Sequence, residues 1–186
     1  MSNKVHLLPG IRKLLERGIR HHKAGRTRMA EACYRKVLRV DPLCAEALLC
    51  RGLVAQEGGQ YAESVEWLNK ALALKPDEPV WMNNLAHSYL RQGETEKARD
   101  IYRRVLDLSP DNARAHYGLG TAQQLLMEWD AAEDSYRRAV ALQPDAPDYH
   151  CGLARFLREM KALDESVEEY NRVLVLDPNH HEACNE

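Results

Sequence analysis

The amino-acid sequence predicts an all-α protein built as an array of antiparallel helix pairs, an α-solenoid. Five prolines stand 34 residues apart along the 186-residue chain: Pro42, Pro76, Pro110, Pro144 and Pro178. A fixed period of this size indicates a repeat array, in which each repeat buries its apolar face on its neighbours. With proline at position 32, the repeats cover 11–44, 45–78, 79–112, 113–146 and 147–180. Residues 1–10 are then a lead-in, and 181–186 begin an incomplete sixth repeat.

Columns of small and large residues recur in every repeat. Position 8 holds Gly18, Gly52, Ala86, Gly120 and Ala154, and position 20 holds Ala30, Ser64, Ala98, Ala132 and Ser166. Position 24 is large, with Tyr34, Leu68, Tyr102, Tyr136 and Tyr170. Small residues let two helices approach closely, and a large side chain can then fill the space beside them. Each repeat is therefore predicted to be a pair of packed helices.

Short sequence signals mark the turns between these helices. Gly25, Gly59 and Gly93 can end one helix and enter the next turn in the first three repeats, whereas Met127 and Lys161 take that position later. After the prolines, the candidate N-caps are Asp77, Asp111, Asp145 and Asn179. Pro79 and Pro147 suit a first helical turn, because that turn has no intrahelical N–H partners.

Composition predicts a water-soluble protein without a membrane partner. Apolar residues make up 45% of the chain and charged residues 29%, which is typical of a folded domain. No apolar run approaches the roughly 18 to 20 residues that span a bilayer, and Lys or Arg interrupts the amino-terminal segment too often for a secretory signal. Five cysteines without framework spacing favour free thiols in a reducing compartment. We therefore predict a cytoplasmic location.

Charge is distributed unevenly along the chain. Residues 1–40 hold eleven Lys or Arg against two Glu, a balance of +9, although the whole chain carries −2. A basic end of this kind is a footprint for an acidic partner or for nucleic acid, or it is a solvated helix surface. The basic residues have no interleaved aromatics and match no recognition motif, so the sequence argues against nucleic-acid binding.

The 34-residue period, with small residues at positions 8 and 20, an aromatic at 24 and proline at 32, resembles the tetratricopeptide repeat. The resemblance covers residues 11–180 and is strongest in "PVWMNNLAHSYLRQGETEKARDIYRRVLDLSPDN". Two repeats depart from the pattern at position 7, usually Leu, where they carry Arg17 and Arg51. These repeats are expected to pack less tightly or to shield the arginines at an edge.

The resemblance implies a right-handed solenoid whose first helices line a concave groove that binds a peptide or protein. The groove residues it implies as the partner-binding site are Asn83, Asn84, His87, Arg114, Tyr117, Thr121 and Arg155. Asn84 resembles the asparagine with which many members grip a ligand's main chain, the other interpretation being a solvated surface side chain. Gly118 and Gly152 are expected to leave room for a ligand backbone.

Three functions are compatible with the sequence. The first is a protein- or peptide-docking scaffold, whose ligand could be acidic because guanidinium groups pair well with carboxylates. The second is the recruiting part of a longer protein with a downstream transferase-type domain. The third is catalysis or metal binding, for which His116 and His150 stand at equivalent positions without a convergent ligand set. The sequence favours the scaffold, with no catalytic residue, metal or cofactor.

The carboxyl end predicts self-association. An array whose last helix is not covered by a polar capping helix exposes an apolar face. Leu157, Tyr170 and Leu174 are expected to form that face.

Overall fold

The computed structural model describes residues 9–180, and within this range the chain is helical, with no β-strand. Its ten helices are α1 Pro9–Lys23, α2 Thr27–Val40, α3 Ala45–Glu57, α4 Tyr61–Leu74, α5 Pro79–Arg91, α6 Thr95–Leu108, α7 Ala113–Leu125, α8 Trp129–Leu142, α9 Pro147–Glu159 and α10 Leu163–Leu176. The all-α prediction of paired antiparallel helices is confirmed. The predicted start of a sixth repeat lies outside the described residues.

The helices divide into two compact units at the turn between α5 and α6. Unit 1 contains α1 to α5 and unit 2 contains α6 to α10. Within each unit every helix packs on the next one along the chain. The first helices of successive repeats also touch, since α3 contacts α1 and α5, and α7 contacts α9. Each unit therefore presents one surface made of first helices.

Close packing inside each repeat follows the predicted small and large columns. A Cβ atom added to Gly18 would lie 2.5 Å from Cε1 of Tyr34, and one added to Gly120 would lie 3.1 Å from the Tyr136 ring. Leu68 fills the same place beside Gly52. A small residue suits this position because the large side chain occupies the space that a bulkier residue would need.

The core of unit 2 corrects one sequence prediction. Leu157 is only 2% exposed and packs with Tyr136, Leu153 and Phe156. It therefore belongs to the interior rather than to an exposed terminal face. Its position on a first helix explains the burial, because α9 is covered by α8 on one side and by α10 on the other.

The turns inside the repeats share one geometry despite their different residues. Gly25, Gly59 and Gly93 have φ between +67° and +80°, and Met127 and Lys161 adopt +59° and +64° at the same place. The backbone hydrogen bond that closes each turn is also retained: Glu128 N–H donates to the Gln123 carbonyl at 2.8 Å. The last two turns are thus left-handed without glycine, at a steric cost.

The junctions between repeats differ from the predicted capping pattern. The helix following Pro110 is capped by Asn112, whose Oδ1 accepts a hydrogen bond from Ala115 N–H at 3.0 Å. The predicted cap, Asp111, lies one residue too early. Pro79 and Pro147 do begin α5 and α9, as predicted.

The state of the cysteines and the length of the helices can be compared with the location predicted from the sequence. Cys33, Cys44 and Cys50 are free thiols, but Cys151 is disulfide-bonded, so the prediction of free thiols is wrong at that position. None of the helices in the described part of the chain has the length and apolar character to cross a membrane.

Candidate functional site

The predicted groove residues lie on first helices in both units. Asn83, Asn84 and His87 belong to α5 of unit 1. Arg114, Tyr117 and Thr121 belong to α7, and Arg155 to α9, all in unit 2. They are described below as two surfaces, one on each unit.

The two asparagines of unit 1 are buried rather than projecting into solvent. Asn83 is 2% exposed and Asn84 is 6% exposed. The Asn84 side-chain amide donates to the Val80 carbonyl, one turn earlier on the same helix, at 2.9 Å. Asn84 is therefore not a solvated surface side chain. One of its amide hydrogens is used in a hydrogen bond within α5. That Asn84 contacts a ligand stays a prediction.

A hydrogen-bond network centred on Gln56 of α3 ties α5 to its neighbours. The Gln56 side-chain amide donates to the Asn84 carbonyl at 3.0 Å and to Ser88 Oγ at 2.9 Å, and it lies 3.1 Å from His87 Nδ1. Ser88 Oγ in turn lies 3.0 Å from Ser64 Oγ on α4. Gln56 stands outside the predicted groove positions, so the sequence pattern missed it. The network fixes the orientation of the His87 ring.

His87 also belongs to a partly exposed aromatic and cationic group. The Tyr61 ring meets the His87 ring edge-on, with centroids 6.4 Å apart. The Arg91 guanidinium lies over the same Tyr61 ring at 5.1 Å. The sequence pattern did not include Tyr61 and Arg91 in the predicted site, because neither residue stands at a predicted groove position of its repeat.

Unit 2 places Tyr117 at the centre of an aromatic cluster. Its ring centroid lies 5.2 Å from that of Tyr149 and 5.6 Å from that of Tyr136, and Tyr136 is 5.5 Å from Phe156. Offset and edge-on pairs at these distances are favourable beyond their apolar burial. Tyr149 on α9 is a surface residue that the sequence pattern missed, although it lies one helical turn before Gly152.

Polar contacts hold this aromatic cluster in place. The Tyr136 hydroxyl donates to Gln124 Oε1 at 2.8 Å, and Thr121 Oγ1 lies 3.2 Å from the same hydroxyl. Thr121 donates its own hydroxyl hydrogen to the Tyr117 carbonyl at 3.1 Å. Burial raises the pKa of Tyr136 to about 12. Thr121 therefore positions the rings.

Two exposed arginines flank the cluster. Burial raises the pKa of Tyr117, and the positive charge of Arg155 opposes that rise. Burial likewise raises the pKa of Tyr149, opposed by Arg114. The charge of Arg155 thus acts on the Tyr117 phenol, and the charge of Arg114 acts on the Tyr149 phenol. Asp148 adds a negative charge at the edge and pairs with His180 at 2.9 Å.

The space expected above Gly118 and Gly152 is already occupied. A Cβ atom added to Gly118 would collide with the Tyr102 ring, and one added to Gly152 would collide with the Tyr117 ring. The glycines therefore admit the protein's own tyrosines. A ligand backbone on this surface would contact the outer faces of these rings instead.

The two histidines considered as metal ligands serve the repeat junctions. His116 Nε2 lies 2.9 Å from the Pro110 carbonyl, and His150 Nε2 lies 2.8 Å from the Pro144 carbonyl. The second ring nitrogen of His150 pairs with Glu169. Each ring thus satisfies a carbonyl at the end of the preceding repeat. Between residues 9 and 180, no group of three or more His, Cys, Asp or Glu side chains is arranged to hold a metal ion.

Two tetratricopeptide repeat family models match the chain. One covers residues 15–79 and 127–181, and the other covers 77–145. Among curated proteins, the photosystem I assembly protein Ycf3 of Prochlorococcus marinus is 34% identical over 89 residues, which are 45% of this chain and 51% of that protein. The peroxisomal targeting signal receptor of Saccharomyces cerevisiae is 29% identical over 83 residues, 45% of this chain and 13% of the receptor. The chain thus spans about half of the first relative's length and far less of the second's.

Solved structures share the fold over most of the chain. MamA from Desulfovibrio magneticus RS-1 superposes with a TM-score of 0.80 at 20% identity, over 92% of this chain and 97% of that one. A thermophilic TPR protein of Thermus thermophilus gives 0.77 at 24% identity, over 92% and 94%. Together with the matched repeat models, the helix pairs and the packed columns, these likenesses show that the chain belongs to the tetratricopeptide repeat family.

Proposed function

We propose that this chain is a protein-interaction scaffold that docks an extended partner segment on first helices, and the surface of unit 2 is the principal proposed site. In unit 2 the contact residues are Arg114, Tyr117 and Arg155, together with Tyr149 and with Thr121 behind them. On the separate surface of unit 1, Asn83, Asn84 and His87 are the proposed contact residues. The family supports this role, because stacked helix pairs offer an extended surface suited to peptide segments.

The observation that carries the proposal is the tilted ring pair of Tyr117 and Tyr149 flanked by two exposed arginines. Tyrosine and arginine are the residue types that most often dominate binding energy at protein interfaces. The rings are held by the cluster beneath them, so little side-chain freedom is lost on binding. The guanidinium groups favour a segment that carries carboxylates.

A peptide-binding measurement tests this surface directly. The probe is a fluorescein-labelled peptide of alternating Glu and Asn, which offers carboxylates and amides without apolar side chains. The variant Arg114→Glu/Arg155→Glu should weaken binding by at least about tenfold and remove most of its salt sensitivity, since a screened attraction becomes a repulsion. Fluorescence anisotropy at two salt concentrations reads out both effects.

The matched control reverses two charges on second helices. Arg103→Glu/Arg172→Glu changes the net charge equally but places both substitutions on α6 and α10. It should leave affinity within about twofold of the parent chain. Equal losses in both variants would assign the effect to overall charge and would remove the proposed site.

A recruiting role inside a longer protein is a second proposal. It is favoured by the match to the peroxisomal targeting signal receptors, of which the aligned repeats make up 13% to 17% of the length. A native gene product that continues into a transferase-type domain would support it, and one that consists of these repeats alone would exclude it.

Self-association through α10 is a third element of the proposal. Apolar side chains stand exposed on this helix at Leu163, Val167 and Leu174, which are spaced to share one face. A second copy of the chain is the proposed occupant. Sedimentation should show a concentration-dependent dimer that Val167→Lys/Leu174→Lys abolishes, whereas a parent chain that is monomeric at every concentration would rule it out.

A further inference from the structure

A groove of about 440 Å³ opens between α2, α3 and α4 of unit 1, and none of the proposed peptide-contact residues lines it. Its apolar lining consists of Leu38, Pro42, Leu48 and Trp67. Its charged lining consists of Arg35, Arg39, Arg51 and Lys70, all of them cations. The volume lies in the range of known ligand sites, and it combines an apolar floor with charge of a single sign.

Trp67 is held in one orientation on this floor. Its indole N–H donates to Glu63 Oε1 at 2.9 Å. The Arg51 guanidinium lies 4.1 Å from the ring centroid, and the Lys70 ammonium lies 4.5 Å from it. Both distances are in the range of cation–π attraction, so the ring holds both cations at the groove.

Among the residues that the structure describes, Arg51 alone of the four cations pairs with a carboxylate. Arg51 is 17% exposed in its side chain and pairs with Glu63 at 3.2 Å and with Glu31 at 3.7 Å. Arg35, Arg39 and Lys70 make no ion pair with any side chain between residues 9 and 180. Three uncompensated positive charges around a partly buried indole favour the approach of an anion.

Unit 2 provides an internal reference for this chemistry. Three repeats later a groove of about 400 Å³ occupies the corresponding place. There Glu169 stands in place of Trp67, His150 in place of Leu48, and Ala141 in place of Arg39. The groove itself is therefore a product of the repeat fold. The basic and apolar lining in unit 1 is not needed to build it.

We propose that the groove around Trp67 is a second docking site, for an acidic protein segment that carries a large apolar side chain. The apolar side chain would rest on Leu38, Leu48 and Trp67, and neighbouring carboxylates would pair with Arg35, Arg39 and Lys70. Guanidinium forks match carboxylates geometrically. Trp67 is the one aromatic residue that lines the groove, so the lining has no succession of rings on which consecutive bases could stack, which favours a protein ligand.

The test uses one probe and a pair of matched variants. The probe is a fluorescein-labelled peptide with a central Phe flanked by Glu residues on both sides. Lys70→Glu alters an exposed residue of the groove, and Arg172→Glu alters the exposed cation at the corresponding position of unit 2. We expect Lys70→Glu to weaken binding by at least about tenfold, and Arg172→Glu to change it by less than about twofold.

Further measurements distinguish binding in this groove from binding at the Tyr117 and Tyr149 surface of unit 2 and from binding of a nucleic acid. Replacing Phe by Ser in the probe should also cost about tenfold, because the apolar contact is lost. In the Arg114→Glu/Arg155→Glu background, which disables the surface of unit 2, Lys70→Glu should still weaken binding of the probe by at least about tenfold. The proposal is overturned if the parent chain fails to bind the probe, if Lys70→Glu and Arg172→Glu act equally, or if single-stranded polyuridine binds more tightly with the same sensitivity to Lys70→Glu.

Discussion

Units 1 and 2 carry the same interior pattern and different surface chemistry at corresponding positions three repeats apart. In the interior, Tyr34 pairs with Gly18 just as Tyr136 pairs with Gly120. On the surface, the groove that Trp67 lines in unit 1 is lined by Glu169 in unit 2. The repeat fold thus restricts the residues between helices and leaves the grooves free to differ. A specific binding role can therefore arise from the residues that line one groove and not the other.

Removing the large residue of the interior pattern should have the largest effect. Tyr34→Ala in unit 1 and Tyr136→Ala in unit 2 should each lower the free energy of unfolding by about 3 to 5 kcal/mol, the range for truncating a large buried aromatic. Urea denaturation followed by circular dichroism measures both. A loss below about 1 kcal/mol in either unit would show that the two interiors are not equivalent.

Filling the small position should have the next largest effect. Gly18→Ala should destabilise unit 1 by about 1 to 3 kcal/mol, because its Cβ would overlap the buried Tyr34 ring. Gly10, on the same helix, has open space around its Cα. Gly10→Ala is therefore the control and should be neutral or slightly stabilising. Similar melting temperatures for the two variants would contradict the close approach.

The tyrosine hydroxyls offer a sharper comparison. The Tyr34 hydroxyl is buried without an oxygen or nitrogen partner among the described residues, and the Cys50 thiol beside it is a weak partner. The Tyr136 hydroxyl is bonded to Gln124 and Thr121. Tyr136→Phe should cost about 1 to 2 kcal/mol in urea denaturation, since the partly buried side-chain oxygen of Gln124 loses its donor. Tyr34→Phe should change stability by less than about 0.5 kcal/mol. Equal costs would mean that the two sites share one hydrogen-bonding environment.

The turns should give the smallest effect. Met127→Gly and Lys161→Gly should each stabilise unit 2 by about 0.5 to 1 kcal/mol, because glycine tolerates the left-handed backbone at these positions. Gly59→Ala, the reverse change in unit 1, should destabilise by about 1 kcal/mol. Thermal melts that move both kinds of variant in the same direction would contradict this.

The period, the helix pairs and the interior columns could be predicted from the sequence, because contacts inside a repeat recur at fixed positions. Position in the repeat placed Met127 at a turn, but its left-handed backbone could not be recognised, since the residue is not glycine. The burial of Leu157 was missed for another reason. Its environment depends on helices on both sides, and no pattern within one repeat describes them.

The candidate site was predicted only in part. Position in the repeat placed Tyr117, Arg114 and Arg155 on first helices, which is where the structure has them. It did not indicate that Tyr102 and Tyr117 would fill the space above Gly118 and Gly152. The direction in which a side chain points decides this, and sequence spacing alone does not give that direction. Arg51, which the sequence singled out as a departure from the repeat pattern, lines the groove around Trp67 and lies over the Trp67 ring.

Transfer of binding between the two grooves tests most directly whether residue chemistry, rather than the shared fold, decides where an acidic ligand docks. The variant combines Lys70→Glu, which disables the groove of unit 1, with Ala141→Arg, His150→Leu and Glu169→Trp, which give unit 2 the corresponding residues of unit 1. Anisotropy with the Phe and Glu peptide should show affinity at least about tenfold above that of Lys70→Glu alone. A variant that retains its helical circular dichroism and melting temperature but binds no better than Lys70→Glu would contradict the account.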